Sequence, residues 1–210
     1  MEFLEHVRRT GIVPVVVLDR VEDAVPTARA LLRGGIDLME ITFRTAAAED
    51  SIRAVSREVP EMTVGAGTVL TVEQAERAVD AGSKFLVAPG LEESVVRWSL
   101  EKGIPIVPGC VTPTEIMKAL SLGLTTVKFF PANIYGGLTG MKALSAPFGG
   151  LTFIPTGGVD GKNLTTYLAE KFIPAVGGSW VCTKDDIRNG RFDRIEALSA
   201  EAAAIVAVRG

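Results

Sequence analysis

Two rhythms alternate along the chain. Short runs rich in Val, Ile, Leu and Phe give way to longer stretches in which apolar residues recur every three or four positions among Ala, Glu and Arg. The runs predict strands at 13–18, 37–43, 63–68, 84–89, 104–109, 125–131, 152–157 and 174–179. The intervening stretches predict helices at 22–33, 46–58, 71–81, 92–102, 113–122, 137–145 and 161–170, with a last one over 184–208. Gly34, Gly82, Gly103 and Gly123 follow four of these helices, where glycine commonly closes a helix. Units of roughly 20–25 residues, repeated eight times without a linker or low-complexity insert, predict an α/β protein: a single (β/α)8 TIM barrel over residues 1–210. The first ten residues form an extra N-terminal helix in this reading. A doubly wound open sheet is the rival architecture, but its G-x-G-x-x-G fingerprint after the first strand is missing.

Strand parity then sorts the polar residues. Alternate residues of a barrel strand face the helices and the interior, and active sites form at the C-terminal strand ends. In the second strand Met39, Ile41 and Phe43 take the helix-facing parity. Glu40, Thr42 and Arg44 take the other, which aims a carboxylate, a hydroxyl and a guanidinium at the barrel axis or its upper rim. In the sixth strand Val127 and Phe129 face the helices, while Thr126, Lys128 and Phe130 face inward. A lone ammonium is costly to withdraw from water, so Lys128 needs a reason to be there. One reading makes Glu40 and Lys128 a structural ion pair filling the barrel.

The other reading is chemical. Inner layers of such barrels are usually branched and apolar. Of the eight lysines, only Lys84 also lies near a strand, at its N-terminal edge. A lysine withdrawn from water beside another cation releases its proton more readily, and the free amine attacks ketones to form a Schiff base. Arg44 supplies a neighbouring cation and Glu40 pulls the other way; the sequence leaves that balance open. A carboxylate on the opposite wall is suited to moving protons to and from the substrate. Two glycine-rich turns add an anion site. Residues 155–161 (PTGGVDG) follow strand seven and 176–180 (VGGSW) end strand eight, the two places where these barrels often hold phosphate.

Composition narrows the partners. The chain has 210 residues, 47% of them hydrophobic, with a net charge of −3 and a pI near 5.4. No basic surface invites nucleic acid or anionic lipid. The start, MEFLEHVRRT, lacks the apolar core of a signal peptide, and no run reaches membrane-spanning length. Cys110 and Cys182 lack the spacing of zinc or disulfide frameworks. A soluble, cytoplasmic protein with reduced thiols and a small-molecule substrate is expected. His6 is the only histidine, expected at the surface, so no metal site is read. Cys110, Trp98 and Trp180 read as packing residues.

The motifs GIDLMEITFRT, GAGTVL, AGSKFLVAPG, VKFFPA, PTGGV and GGSW occur in this order over almost the whole chain. Together they resemble the 2-keto-3-deoxy-6-phosphogluconate (KDPG) / 4-hydroxy-2-oxoglutarate (KHG) aldolase family, the small class I aldolases of the Entner–Doudoroff pathway. The resemblance implies a homotrimeric (β/α)8 barrel with no metal and no cofactor. It makes Lys128 the Schiff-base lysine and Glu40 the general acid/base. It gives Arg44 and Thr68 the pyruvate carboxylate, and makes Pro89 and Phe130 lining residues. Thr156, Gly157, Gly158, Gly178 and Ser179 fall near the phosphate end. The turn Cys110-Val111-Thr112-Pro113 departs from the Ser- or Thr-rich turn common in relatives, which bears on fine specificity. The implied reaction is reversible cleavage of KDPG to pyruvate and D-glyceraldehyde 3-phosphate, with KHG, giving pyruvate and glyoxylate, as a second substrate. The alternatives are the galactonate-epimer aldolase, or a phosphosugar isomerase or synthase in which Lys128 acts only electrostatically.

Overall fold

A computed structural model describes residues 2–208; Met1, Arg209 and Gly210 of the predicted 1–210 domain lie outside the described residues. Helix α1 (Glu2–Thr10) precedes strand β1 (Ile12–Val16), followed by α2 (Ala24–Arg33), β2 (Leu38–Thr42), α3 (Ala48–Glu58), β3 (Thr63–Gly67) and α4 (Val72–Asp80). Then come β4 (Leu86–Val87), α5 (Glu93–Glu101), β5 (Ile106–Val107), α6 (Pro113–Ser121), β6 (Thr126–Phe129) and α7 (Gly137–Ser145). The series closes with β7 (Thr152–Pro155), α8 (Leu164–Leu168), β8 (Val176–Gly178), α9 (Lys184–Arg188) and α10 (Phe192–Ala207).

The strands build a curled parallel sheet of six, ordered β5-β4-β3-β2-β1-β8, and a parallel pair, β6-β7. Single parallel bridges join the two: Gly109 to Lys128 beside β5, and Thr156 to Gly177 beside β8. Several strands are shorter than predicted. Pro105 and Pro108 flank β5 and supply no N–H to a ladder, so the predicted 104–109 shrinks to Ile106–Val107. The predicted last helix is two, broken at Asn189–Gly190, where Gly190 takes φ +65.

Burial follows the predicted parity. Met39, Ile41, Val127, Phe129 and Phe153 belong to the core between strands and helices. Val13, Leu38, Phe85, Val87, Val107, Ile154 and Ala175 form a separate inner cluster, which Val7 of α1 joins. Helix α1 carries Glu2 and Glu5 in its first turn and Arg8 and Arg9 in its last, charges that complement the helix dipole. Its Phe3 packs on Phe85 with ring centroids 4.8 Å apart. Helix α1 therefore plugs the N-terminal end of the sheet. It is held there through Asp37, which accepts hydrogen bonds from Arg9 (3.0 Å) and Thr10 (3.0 Å) and pairs with His6 Nε2 (2.7 Å). His6 thus departs from its expected surface role: it is half-buried and clamps this helix to β2.

Candidate active site

Strand β2 places Glu40, and β6 places Lys128, on facing sides of the interior. Backbone bonds on both flanks fix Lys128: its N–H donates to Pro108 O at 2.8 Å, its carbonyl accepts from Cys110 N at 2.9 Å, and it pairs in register with Ile154 of β7. Its side chain is 5% exposed and that of Glu40 is 2%. The two charges stand 3.6 Å apart, Nζ to Oε1. That is an ion pair without a hydrogen bond, and Glu40 Oε1 is buried without any hydrogen-bond partner. A buried pair meant only to hold a fold normally satisfies its polar atoms. This one keeps an acceptor unused beside the Lys128 side-chain nitrogen. Thr42, one inward position further up β2, likewise has a buried hydroxyl with no partner.

Arg44 does not join the buried interior. It lies in the exposed turn after β2, so among the described residues Glu40 is the one charged group at ion-pair distance from Lys128. Arg44 instead donates from Nε to Thr68 Oγ1 at 3.0 Å, which brings these two predicted residues together at the rim. Thr68 has φ +58, a left-handed conformation that β-branched residues rarely adopt. It is pinned on both sides: Gly67 O accepts from Phe43 N at 2.8 Å, and Val69 N donates to Val87 O at 3.1 Å. Backbone strain of this kind collects where a site must present a group in one orientation.

The rest of the predicted set lines the same mouth. The Phe130 ring centre is 5.3 Å from Lys128 Nζ, near enough to favour a cation there. Pro89, half-buried, follows β4, and its carbonyl comes so close to Gly109 that a Cβ there would lie 2.0 Å away. Thr156 is buried beside Gly177. Gly157 and Gly158, at φ +95 and +74, turn the chain sharply outward, a path that side-chain-bearing residues resist. Ser179 is exposed at the end of β8, and Gly178 packs under the ring of Trp180. Cys110 is 1% exposed, and burial, with the Glu115 carboxylate, pushes its thiol up to about 12, so it packs rather than reacts. Trp98 and Trp180 pack against the outer core, as expected.

The sequence reading passed over the glycines of the inner wall. Gly65, Gly67 and Gly177 all face inward, and a Cβ at each would strike Phe85, Glu40 or Thr156 within 2.3 Å. Their signal was available: glycine weakens a strand, so alternating glycines at one parity of β3 mark close approach of another group.

A buried amine facing a buried carboxylate, at the C-terminal rim of a curled parallel sheet, is the equipment of a carbonyl-processing α/β enzyme. Comparison with known proteins gives the class. The family model "Aldolase: KDPG and KHG aldolase" matches residues 4–198. The 2-dehydro-3-deoxy-phosphogluconate aldolase of Treponema pallidum is 48% identical, over 97% of each chain. The chain therefore belongs to the KDPG and KHG aldolase family, a family of lyases. Solved structures agree. KDPG aldolase from Legionella pneumophila, with pyruvate captured as a covalent carbinolamine intermediate, superposes with a TM-score of 0.92 at 35% identity, covering 95% of this chain and 97% of that one. The 2-keto-3-deoxy-6-phosphogluconate aldolase of Zymomonas mobilis with 3-phosphoglycerate gives 0.89 at 37%, over 98% and 97%.

Proposed function

We propose that this protein is a metal-independent class I aldolase that cleaves KDPG reversibly to pyruvate and D-glyceraldehyde 3-phosphate, with Lys128 as nucleophile and Glu40 as proton carrier. The observation that carries this reading is the buried Lys128–Glu40 pair, 3.6 Å apart with Oε1 unpaired, inside a chain of this family. The pyruvate trapped in the Legionella pneumophila relative supports covalent chemistry, and gluconate-derived names among close relatives favour that epimer over the galactonate one.

The steps follow from the chemistry. The free amine of Lys128 adds to the C2 carbonyl of the substrate, and the carbinolamine loses water to become an iminium. A base removes the C4 hydroxyl proton, the C3–C4 bond breaks, and its electron pair moves to the iminium nitrogen. D-Glyceraldehyde 3-phosphate leaves, and an enamine remains on Lys128. Glu40 delivers a proton to C3, directly or through water, and hydrolysis of the new iminium returns the water, freeing pyruvate and the amine. Arg44 with Thr68 holds the substrate carboxylate on one side of the C-terminal mouth. Thr156, Gly157, Gly158, Gly178 and Ser179 surround the phosphate on the other side, with Pro89 and Phe130 between.

The single bridges at Gly109 and Thr156 further support reading the eight strands as one closed barrel in one domain. A cytoplasmic homotrimer fits as well, with exposed Met117, Ile134 and Tyr135 offering apolar contact surface. The test is release of pyruvate from KDPG by the purified protein, unchanged by prolonged EDTA. Failure to cleave KDPG refutes the assignment, and activity lost to EDTA and restored by a divalent ion refutes its metal independence.

A further inference from the structure

The assignment of Glu40 rests on where its carboxylate stands, and the neighbouring strand determines that. In the β2–β3 register Glu40 lies opposite Gly65, and Thr42 opposite Gly67. The Glu40 side chain climbs the inner wall diagonally and ends over Gly67. A Cβ at residue 67 would lie 1.7 Å from Oε1, 2.2 Å from Cδ and 2.4 Å from Cγ of Glu40. The whole end of the side chain, not merely its tip, occupies the volume a methyl group would take.

Conformation does not explain this glycine. Its φ is outside the left-handed range that disfavours side chains, unlike that of Gly157 or Gly158. Its carbonyl is engaged in an ordinary ladder bond from Phe43 N. By backbone criteria alone an alanine here would be neutral or stabilising, because glycine gives the unfolded chain extra freedom. Nor is Gly67 a generic packing glycine. Gly65, one inward step below, yields its space to the Phe85 ring, an apolar neighbour in the inner cluster. The nearest atoms at Gly67 all belong to Glu40, whose Oε1 has no hydrogen-bond partner.

We propose that Gly67 is a positioning residue for the lyase reaction: the slot left by its missing Cβ holds the Glu40 carboxylate within reach of Lys128. The inference builds on the proposed role of Glu40. Because Oε1 accepts no hydrogen bond from the protein, displacing the carboxylate breaks none there. Gly67→Ala therefore moves the acid away from Lys128 without breaking a hydrogen bond at that oxygen. A misplacement of about 1 Å at a reacting centre costs on the order of 10²-fold in rate.

The experiment is a double-mutant cycle on the full chain. Gly67→Ala is expected to lower kcat for KDPG cleavage about 10²-fold with KM nearly unchanged, and to slow exchange of the pyruvate methyl protons in deuterated water to a similar degree. In a Glu40→Gln background the same substitution should add little further loss, since the group it displaces no longer carries protons. Multiplying effects in that cycle would overturn the proposal. Melting temperature gives a second arm that does not need activity. In a Glu40→Ala background Gly67→Ala should be neutral or stabilising. A Gly67→Ala protein that folds only when Glu40 is also truncated supports the slot, and destabilisation that persists there assigns the space to something else and overturns it. If Glu40→Gln keeps normal turnover, the role of Glu40 itself fails. If Glu40→Gln is inactive and Gly67→Ala is silent, only the positioning role fails.

Discussion

Glu40 and Lys128 share the cost of two buried charges without the hydrogen bonds that usually offset it. On the proposed mechanism that cost serves proton transfer, so Glu40→Gln, which keeps shape but not the ionisable proton, should lower kcat by about 10²–10⁴-fold. Pyruvate should still form some Schiff base on Lys128, more slowly. The structural reading of the pair expects near-normal turnover and a depressed melting temperature, so kcat and Tm on one preparation separate the two. Thr68 offers a complementary test. A non-glycine left-handed residue costs about 1–2 kcal/mol, so Thr68→Gly should leave stability unchanged or raise it. It also removes the hydroxyl that Arg44 contacts, so KM for KDPG should rise. A destabilised variant with unchanged KM would contradict that assignment. At this scale parity alone made Glu40, Thr42 and Lys128 legible in the sequence. The conformation of Thr68 was not, because it depends on the approach of neighbouring strands; the glycines of β3 mark a close approach, but not that the Glu40 side chain makes it at Gly67.

The elements were legible to the extent that their signals are local. Thr112-Pro113-Thr114-Glu115 starts α6 with a capping box, in which Thr112 Oγ1 accepts from Glu115 N and the Glu115 carboxylate accepts from Thr112 N. Strand lengths were less legible, since Leu86–Val87 and Ile106–Val107 pair only where flanking prolines and turns leave N–H groups free. The clamp that seats α1 on Asp37 joins residues about thirty apart and has no local signature. It does have a pH signature. Burial alone would raise the Asp37 carboxyl, but its bonds to His6 and Thr10, with the His6 and Arg9 charges, hold it below its ordinary value of 3.8. A lowered folded-state value stabilises above the unfolded pKa, and this contribution fades as pH falls from 3.8 through the lower value. Asp37→Asn should therefore melt below wild type at neutral pH, with the gap closing in acid. A gap independent of pH would show that the clamp is not ionic.

For the molecule as a whole, the proposed mechanism puts stability at one end and chemistry at the other. Helix α1 and the Phe3–Phe85 stack close the N-terminal end, while the amine, the acid and the glycine turns meet at the C-terminal rim. Alternation of strand and helix patterns made this polarity legible, because C-terminal rims of parallel strands gather their loops into one mouth. The join between the six-stranded sheet and the β6-β7 pair was less so, since it consists of two single bridges rather than full ladders. The two sides of that mouth also predict a division of labour. Ser179→Ala should raise KM for KDPG much more than for unphosphorylated KHG, and equal effects would place the phosphate elsewhere. The central claim is that Lys128 carries the substrate covalently, and reductive trapping tests it most directly. Borohydride added with pyruvate, followed by peptide mass mapping, should place the reduced pyruvyl adduct on Lys128 and leave the folded Lys128→Ala protein unmodified. An adduct on another lysine, or none on the active wild-type enzyme, would contradict the account.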